Sequence, residues 1–423
     1  MRVLSRRPRR TLTVAAVGAL TGVAVLTSGG ADAATTSVVW SKSVSYGTVV
    51  SIDDGDSVVV KVDGDSSTVA PVHIRNAGIQ TMETGTCHAA QATAAMTGLA
   101  GGKRVRLSIA DPSATSAGRP IRYVDAWNGS AWVDTQLPML KAGHALPMPG
   151  FGDATRWKAF EVGAQQAAKT RVNLWDTDFC GSGPWQSTPL KVWINWDGNL
   201  DESVYPNQEW VRILNTSATP MSLSGWSMRT SGQDSFFFPS GAVVPAGSTA
   251  TLHVGSGTAT TTRFYWGWTK PKFANTNGST RGGGAYLYDA QGDVRAWSMY
   301  PCVYACSDPL AGKVKMTVRA DAPGTDATNL NGEYATFAPA GSYTVDLSYK
   351  VATAFGHTYE FPKGSYVKPG EFLVLRIGKG TSTRLTKYWG NTAPVLANAG
   401  GTVVLRNPEN VRIACKAWGS GGC

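Results

Sequence analysis

An internal repeat constrains this chain more than any other feature. Phe238-Pro239 recurs as Phe361-Pro362, Gly255-Ser-Gly-Thr258 as Gly378-Lys-Gly-Thr381, and Tyr265-Trp-Gly267 as Tyr388-Trp-Gly390, all at a separation of 123 residues. Three collinear matches at one spacing mean two copies of a single structural unit, placed here at residues 190–308 and 312–423. Each unit is about the size of a β-sandwich. The composition agrees. With 48 glycines, 15 tryptophans and only 16% charged residues, short strands and turns are favoured over long surface helices.

What precedes the repeat has a different character. Residues 1–33 read as a signal peptide. Arg2, Arg6, Arg7, Arg9 and Arg10 lead into the apolar run Leu12–Leu26, and Ala31-Asp32-Ala33 supplies a small-residue cleavage pattern. The run is interrupted by glycine and is shorter than the roughly 20 residues a spanning helix needs. The expectation is therefore a secreted, extracellular protein whose mature chain has no transmembrane anchor, exported by the general or the twin-arginine route. Removal of residues 1–33 takes away five arginines and Asp32, so the charge of +10 falls by 4 to +6. A mildly basic chain suits a polyanionic substrate without demanding one.

Residues 38–185 mix strands with helices. Tyr46–Ile52, Ser57–Val62, Val69–Ile74, Arg104–Ile109 and Ile121–Ala126 read as strands, with Asp63-Gly64 a turn signal. His88–Leu99, Gln136–Ala142 and Asp153–Thr170 read as helices. The last carries Trp157, Phe160, Glu161 and Ala164 on one face, with Asp153 as its N-cap. Five strands with interspersed helices point to a small closed barrel of the OB type. The whole chain is thus expected to be multidomain and mainly β: a five-stranded OB-fold barrel with helices, then two immunoglobulin-like sandwiches. A linker from Cys180-Gly-Ser-Gly-Pro184 to Pro189 separates them.

Six cysteines in an exported chain imply disulfides, and six allow fifteen connectivities. The domain division favours Cys87 with Cys180, Cys302 with Cys306, and Cys415 with Cys423. A zinc reading is weak, because no histidine pair accompanies the cysteines at zinc spacing.

The stretch Ser51–Thr84 carries the chemistry. Asp56 opens one strand, Arg75 ends the next, and Glu83 lies in the following loop. A carboxylate that can hold a hard cation, a guanidinium that can fork onto phosphate oxygens and a second carboxylate that can activate water suit phosphodiester cleavage. Here the barrel segment resembles the staphylococcal (thermo)nuclease family. Asp54-Gly-Asp56-Ser is similar to its Asp-Gly-Asp-Thr turn, and Arg75-Asn-Ala-Gly-Ile-Gln80-Thr81-Met-Glu83-Thr to its Arg-x-x-Gly-Ile-Asp-x-Pro-Glu-Thr loop. Gly118-Arg119, Leu140-Lys-Ala-Gly143 and Glu161 to Trp175 match three later segments.

That resemblance implies a calcium-assisted nuclease for DNA, RNA or both. Arg75 and Arg119 would clamp the phosphate, and Glu83 would serve as base or orient the attacking water. Asp56, Gln80 and the Thr81 carbonyl would be calcium ligands. Gln80 stands where the family has aspartate, so calcium would be held more weakly. Phe151, near two nucleotide-contacting tyrosines of the family, would stack on a base. His73, His88 and His144 are expected to be exposed or structural.

The first repeat unit resembles a lamin tail domain. Glu209-Trp-Val-Arg-Ile-Leu-Asn215 matches its first core strand, Leu223-Ser-Gly225-Trp226 the next, and Phe238-Pro239 the third. The second unit keeps Glu333, Phe361-Pro362 and Pro369-Gly370 but has Leu347-Ser-Tyr349-Lys350 where Gly-Trp would stand. The sandwiches are expected to bind nucleic acid, the cell envelope or another protein. The rival reading is a non-catalytic extracellular protein that binds nucleic acid or envelope on a nuclease fold.

Overall fold

The computed structural model describes residues 36–148, 155–181, 189–196, 201–232, 234–275, 282–407 and 411–423. The expected signal peptide, Asp153 and Phe151 lie outside the described residues. Residues 37–423 form one compact unit containing three hydrophobic cores.

The first core fills a barrel. Its strands are β1 (Val44–Asp54), β2 (Ser57–Val62) and β3 (Val72–Asn76), followed after helix α1 (Ala89–Ala100) by β4 (Arg104–Ser108) and β5 (Arg119–Trp127). They run in the order β3-β2-β1-β4-β5, and β3 pairs with β5 to close the ring. The closing pair is parallel, with Arg75 opposite Ile121 and Asn76 opposite Arg122. β3 starts three residues later than its apolar run suggests. The Val69 N–H is engaged in a turn with Ser66 O, and Pro71 has no N–H to give to a ladder. Helices α2 (Gln136–Lys141) and α3 (Trp157–Thr170) cover one side, burying Met139, Leu140, Phe160, Ala164, Ala167 and Ala168.

The two sandwiches repeat one topology. In the first, β6 (Leu190–Asn195), β7 (Trp210–Asn215), β8 (Ser227–Thr230), β9 (Ser235–Phe237), β10 (Thr249–His253), β11 (Arg263–Tyr265), β12 (Gly283–Tyr288) and β13 (Val294–Tyr300) form two sheets, β6-β7-β10-β11 and β9-β8-β12-β13. In the second, β14 (Val314–Arg319), β15 (Tyr334–Pro339), β16 (Val351–Ala354), β17 (His357–Glu360), β18 (Leu373–Arg376), β19 (Thr386–Tyr388), β20 (Gly400–Arg406) and β21 (Arg412–Gly419) give the same orders, β14-β15-β18-β19 and β17-β16-β20-β21. Even the parallel edge pair recurs, as Thr251 opposite Arg263 and Val374 opposite Thr386.

One buried carboxylate latches each copy. Glu209 accepts the backbone N–H groups of Lys272 (2.6 Å) and Phe273 (3.1 Å). Glu333 accepts those of Val395 (3.1 Å) and Leu396 (2.9 Å). Three disulfides close Cys87–Cys180, Cys302–Cys306 and Cys415–Cys423.

The central strand β12 of the β9-β8-β12-β13 sheet does not face solvent on either side. All six residues of β12 are buried, because alternate side chains enter different cores. Ala285 and Leu287 join the sandwich core, whereas Tyr286 and Tyr288 join the barrel core. Trp175 of the barrel packs on this face against both β12 and β13, its ring 5.9 Å from Tyr286 and 5.1 Å from Trp297.

Candidate active site

The residues expected from the sequence converge at the end of the barrel where β3 closes on β5. Asp56 is placed there by the β1–β2 hairpin. Its N–H donates to Asp54 Oδ1 at 2.9 Å, an Asx-type turn contact. Gly55 is needed for the close approach of this turn, since a Cβ there would lie 2.6 Å from Thr81 Cγ2 and 2.7 Å from Ala92 Cβ. The Asp56 carboxylate is buried. It accepts Thr81 N–H at 2.7 Å, Thr81 Oγ1 at 3.1 Å and Ser57 Oγ at 3.1 Å, and Arg75 Nη1 lies 3.2 Å from Oδ1.

Arg119 arrives from a later strand through a tight hairpin. Ser116 pairs with Arg119 across a two-residue loop whose residues, Ala117 (φ 49°) and Gly118 (φ 74°), are both left-handed. This is the type I′ geometry that matches strand twist. Arg119 is half-buried and Nη1 donates to Ser57 Oγ at 2.9 Å. Its other donors have no hydrogen-bond partner among the described residues.

Arg75 is 1% exposed and directed inward. Nη1 donates to the carbonyls of Asp56 (3.2 Å) and Asn76 (2.8 Å), and Nη2 to Ile79 O (2.9 Å) and to Gln80 Oε1. Burial pushes the Asp56 carboxyl up from its usual range, and the Arg75 charge opposes that push. Burial likewise pulls Arg75 down, with Asp56 opposing. Glu83 and Arg119 both lie close enough to act on the Arg75 charge, so Asp56, Arg75, Gln80, Thr81, Glu83 and Arg119 make one cluster.

The calcium expectation meets an obstacle in the donor set. Both Asp56 oxygens already accept hydrogen bonds, Gln80 Oε1 accepts from Arg75, and Thr81 O accepts from Gln80 Nε2 at 3.0 Å. Among the described residues no three His, Cys, Asp or Glu side chains gather as a metal site. A cation would have to displace these donors beside a buried guanidinium, and calcium favours several anionic oxygens. In this arrangement Asp56, Gln80 and Thr81 do not fit calcium.

Glu83 is the exposed member, with a side chain 64% accessible. Its Oε1 accepts Gln80 Nε2 at 3.2 Å and lies 3.7 Å from Arg229 Nη2, while Oε2 has no hydrogen bond among the described residues. Arg229, from β8 of the first sandwich, carries no motif by which a sequence reveals it. The one available signal was the apolar character of both faces of β12, which marks a sheet covered on both sides. The histidines lie apart from this chemistry. His73 is exposed on Asp53 (2.6 Å), and His88 pairs with His144 at 3.1 Å, burial pushing His88 down to about 4.

No helix among the described residues is long and apolar enough to cross a membrane. No curated protein matches the chain. The lamin tail domain family model matches twice, at residues 195–301 and 311–420. These matches cover the two sandwiches, together just over half of the chain, and do not extend into the barrel. The repeated sheet orders and the paired Glu209 and Glu333 latches are what one family occurring twice requires, and the chain belongs to the lamin tail domain family.

Proposed function

We propose that the barrel is a phosphodiester hydrolase acting on DNA, RNA or both, secreted, with the two lamin tail domains as modules that bind nucleic acid, envelope or protein. The observation that carries this reading is the pairing of a carboxylate oxygen and a guanidinium with open valences in one cluster. Glu83 Oε2 and the outer donors of Arg119 have no partners among the described residues, although Asp56 and Arg75 beside them are engaged in hydrogen bonds.

Glu83 Oε2 takes a proton from water as the water oxygen attacks phosphorus. Arg119 forks onto the non-bridging oxygens and offsets the charge that develops there. The ester P–O bond opposite the new one breaks, and the leaving oxygen takes a proton from solvent. Arg75 is a buried cation that fixes the Asp56 and Gln80 ends of the loop and adds positive potential. No step passes through a metal.

A second reading, a non-catalytic nucleic-acid binder, is favoured by the inward engagement of Arg75 and by the filled oxygens around Asp56. One experiment separates the two. The purified chain is incubated with plasmid DNA and with RNA, in calcium, magnesium or chelator, beside Glu83→Gln and Arg119→Ala. Hydrolysis that falls at least about 100-fold in both variants is expected, the scale of losing a general base or a preorganised donor. Retention of nucleic acid in a gel shift without degradation under any condition would establish the binding reading. Loss of activity in chelator alone would show that a divalent cation is required, and would overturn the metal-free form of the mechanism.

A further inference from the structure

Arg229 lies on the face of the first sandwich that the barrel covers. It pairs with Tyr286 in β12, which pairs with Trp297 in β13. Directly opposed residues share a face, and Trp175 of the barrel rests on this one. The Arg229 side chain is 11% accessible.

Its guanidinium is poorly satisfied for so enclosed a charge. Of five N–H donors, Nη1 reaches Met82 Sδ at 3.9 Å, Nη2 lies 3.7 Å from Glu83 Oε1, and Nε has no partner. Among the described residues it makes no hydrogen bond to oxygen. An enclosed charge without oxygen acceptors destabilises a fold, so Arg229 is poorly explained as a device for stability. Its position beside Glu83 offers another explanation.

The same sandwich grips the Glu83 loop at further points. Tyr288 Oη donates to Met82 Sδ at 3.6 Å. Beyond the loop, Cys87 is joined to Cys180, whose N–H donates to Asp293 Oδ1 at 2.7 Å. Gly292 lies beside this disulfide, where a Cβ would sit in van der Waals contact, 3.4 Å from Cys87 Cβ. The loop that bears Glu83 is therefore held from the sandwich side on both flanks.

We propose that the first lamin tail domain is a working part of the hydrolytic centre, with Arg229 the positioning residue that holds the Glu83 carboxylate, so that the centre is complete only while this domain is docked on the barrel. The proposal rests on the phosphodiesterase reading above. Gln80 and Arg229 both address Oε1, which leaves Oε2 directed at the water. Without Arg229, Glu83 is an exposed side chain on a loop, and a misplacement on the order of 1 Å in a reacting group costs about 100-fold in rate.

The test uses the full chain with Arg229→Met and Arg229→Lys. Arg229→Met keeps an unbranched apolar stem and removes an unsatisfied charge, so its melting temperature is expected to equal or exceed that of wild type. Its kcat is expected to fall about 10- to 100-fold with KM unchanged, and Arg229→Lys to recover most of that loss. A residue with a merely structural role would instead lower stability and leave the kcat of the folded fraction intact. Unchanged kcat in Arg229→Met, or a change confined to KM, overturns the proposal. Amide hydrogen exchange over residues 81–86 gives a readout that does not depend on activity. Exchange is expected to accelerate in Arg229→Met while β1 and β4 stay protected, and unchanged exchange again overturns the proposal. If wild type hydrolyses nothing, the phosphodiesterase reading fails, and the exchange comparison still decides whether Arg229 holds the loop.

Discussion

Glu161, buried near the first lamin tail domain, should make the stability of the fold sensitive to pH. It occupies the buried face of α3, 1% exposed among Phe160, Ala164 and Ala168. Its Oε2 accepts only Gln165 Nε2 at 3.4 Å, and Oε1 has no partner among the described residues. Its charge would bear on the buried Tyr286 and Tyr300 of the sandwich. Burial, weakly opposed by Gln165, pushes the carboxyl up to about 8 from an ordinary value of 4.5. Between those values the folded chain holds a proton that the unfolded chain has released. Stability from this group is therefore full below pH 4.5, falls as pH rises toward 8, and levels off above. At 1.36 kcal/mol per pH unit the gap corresponds to at most about 5 kcal/mol. Glu161→Gln keeps the shape and the hydrogen-bonding capacity but cannot ionise. The assay is urea unfolding followed by tryptophan fluorescence at intervals from pH 5 to pH 9, wild type beside Glu161→Gln. The wild-type profile should decline relative to the variant by up to about 1.4 kcal/mol for each pH unit. Glu209, pushed up to about 8, and Asp293, to about 6, titrate in both proteins and cancel in the difference. Parallel profiles across the range would refute the assignment of a buried, protonated Glu161.

The repeated latches allow a paired test: Glu209→Ala and Glu333→Ala each strand two loop N–H groups. Each should destabilise its own sandwich by roughly 2–5 kcal/mol, with additive effects in the double variant when urea unfolding is measured. Gly55→Ala drives a methyl into Thr81 and Ala92, at 2.6 and 2.7 Å. It should cost about 1–3 kcal/mol in urea unfolding and also lower hydrolysis, because the Thr81 contacts that seat Asp56 must shift. Loss of stability with full activity would show that this seat does not govern the site.

How much of this was legible in the sequence depends on the range of the interaction that decides each feature. The five barrel strands follow from local alternation and turn chemistry, and the two sandwiches from the repeat at a spacing of 123 residues, so their existence could be read directly. Boundaries failed where a single residue overrode the pattern, as Pro71 does at the start of β3. The Glu209 and Glu333 latches were visible as repeated residues, but their purpose appears only when the chain places each beside a loop 63 residues further on. The cluster around Asp56 was legible as a set, because its members lie on adjacent strands of one small barrel and on the loop that follows Arg75. Its internal connections were not. Whether Gln80 Oε1 turns to a cation or to Arg75 is decided by competition between donors a few ångströms apart, which no spacing encodes. Arg229 lies further still from sequence inference. Docking depends on the complementarity of two finished surfaces, and only the absence of a polar face on β12 betrays that one exists. A site completed across such an interface has a physical consequence that a site within one fold lacks. Its geometry is coupled to the docking equilibrium, so any ligand that binds the two surfaces differently when docked and apart must shift the occupancy of the competent state.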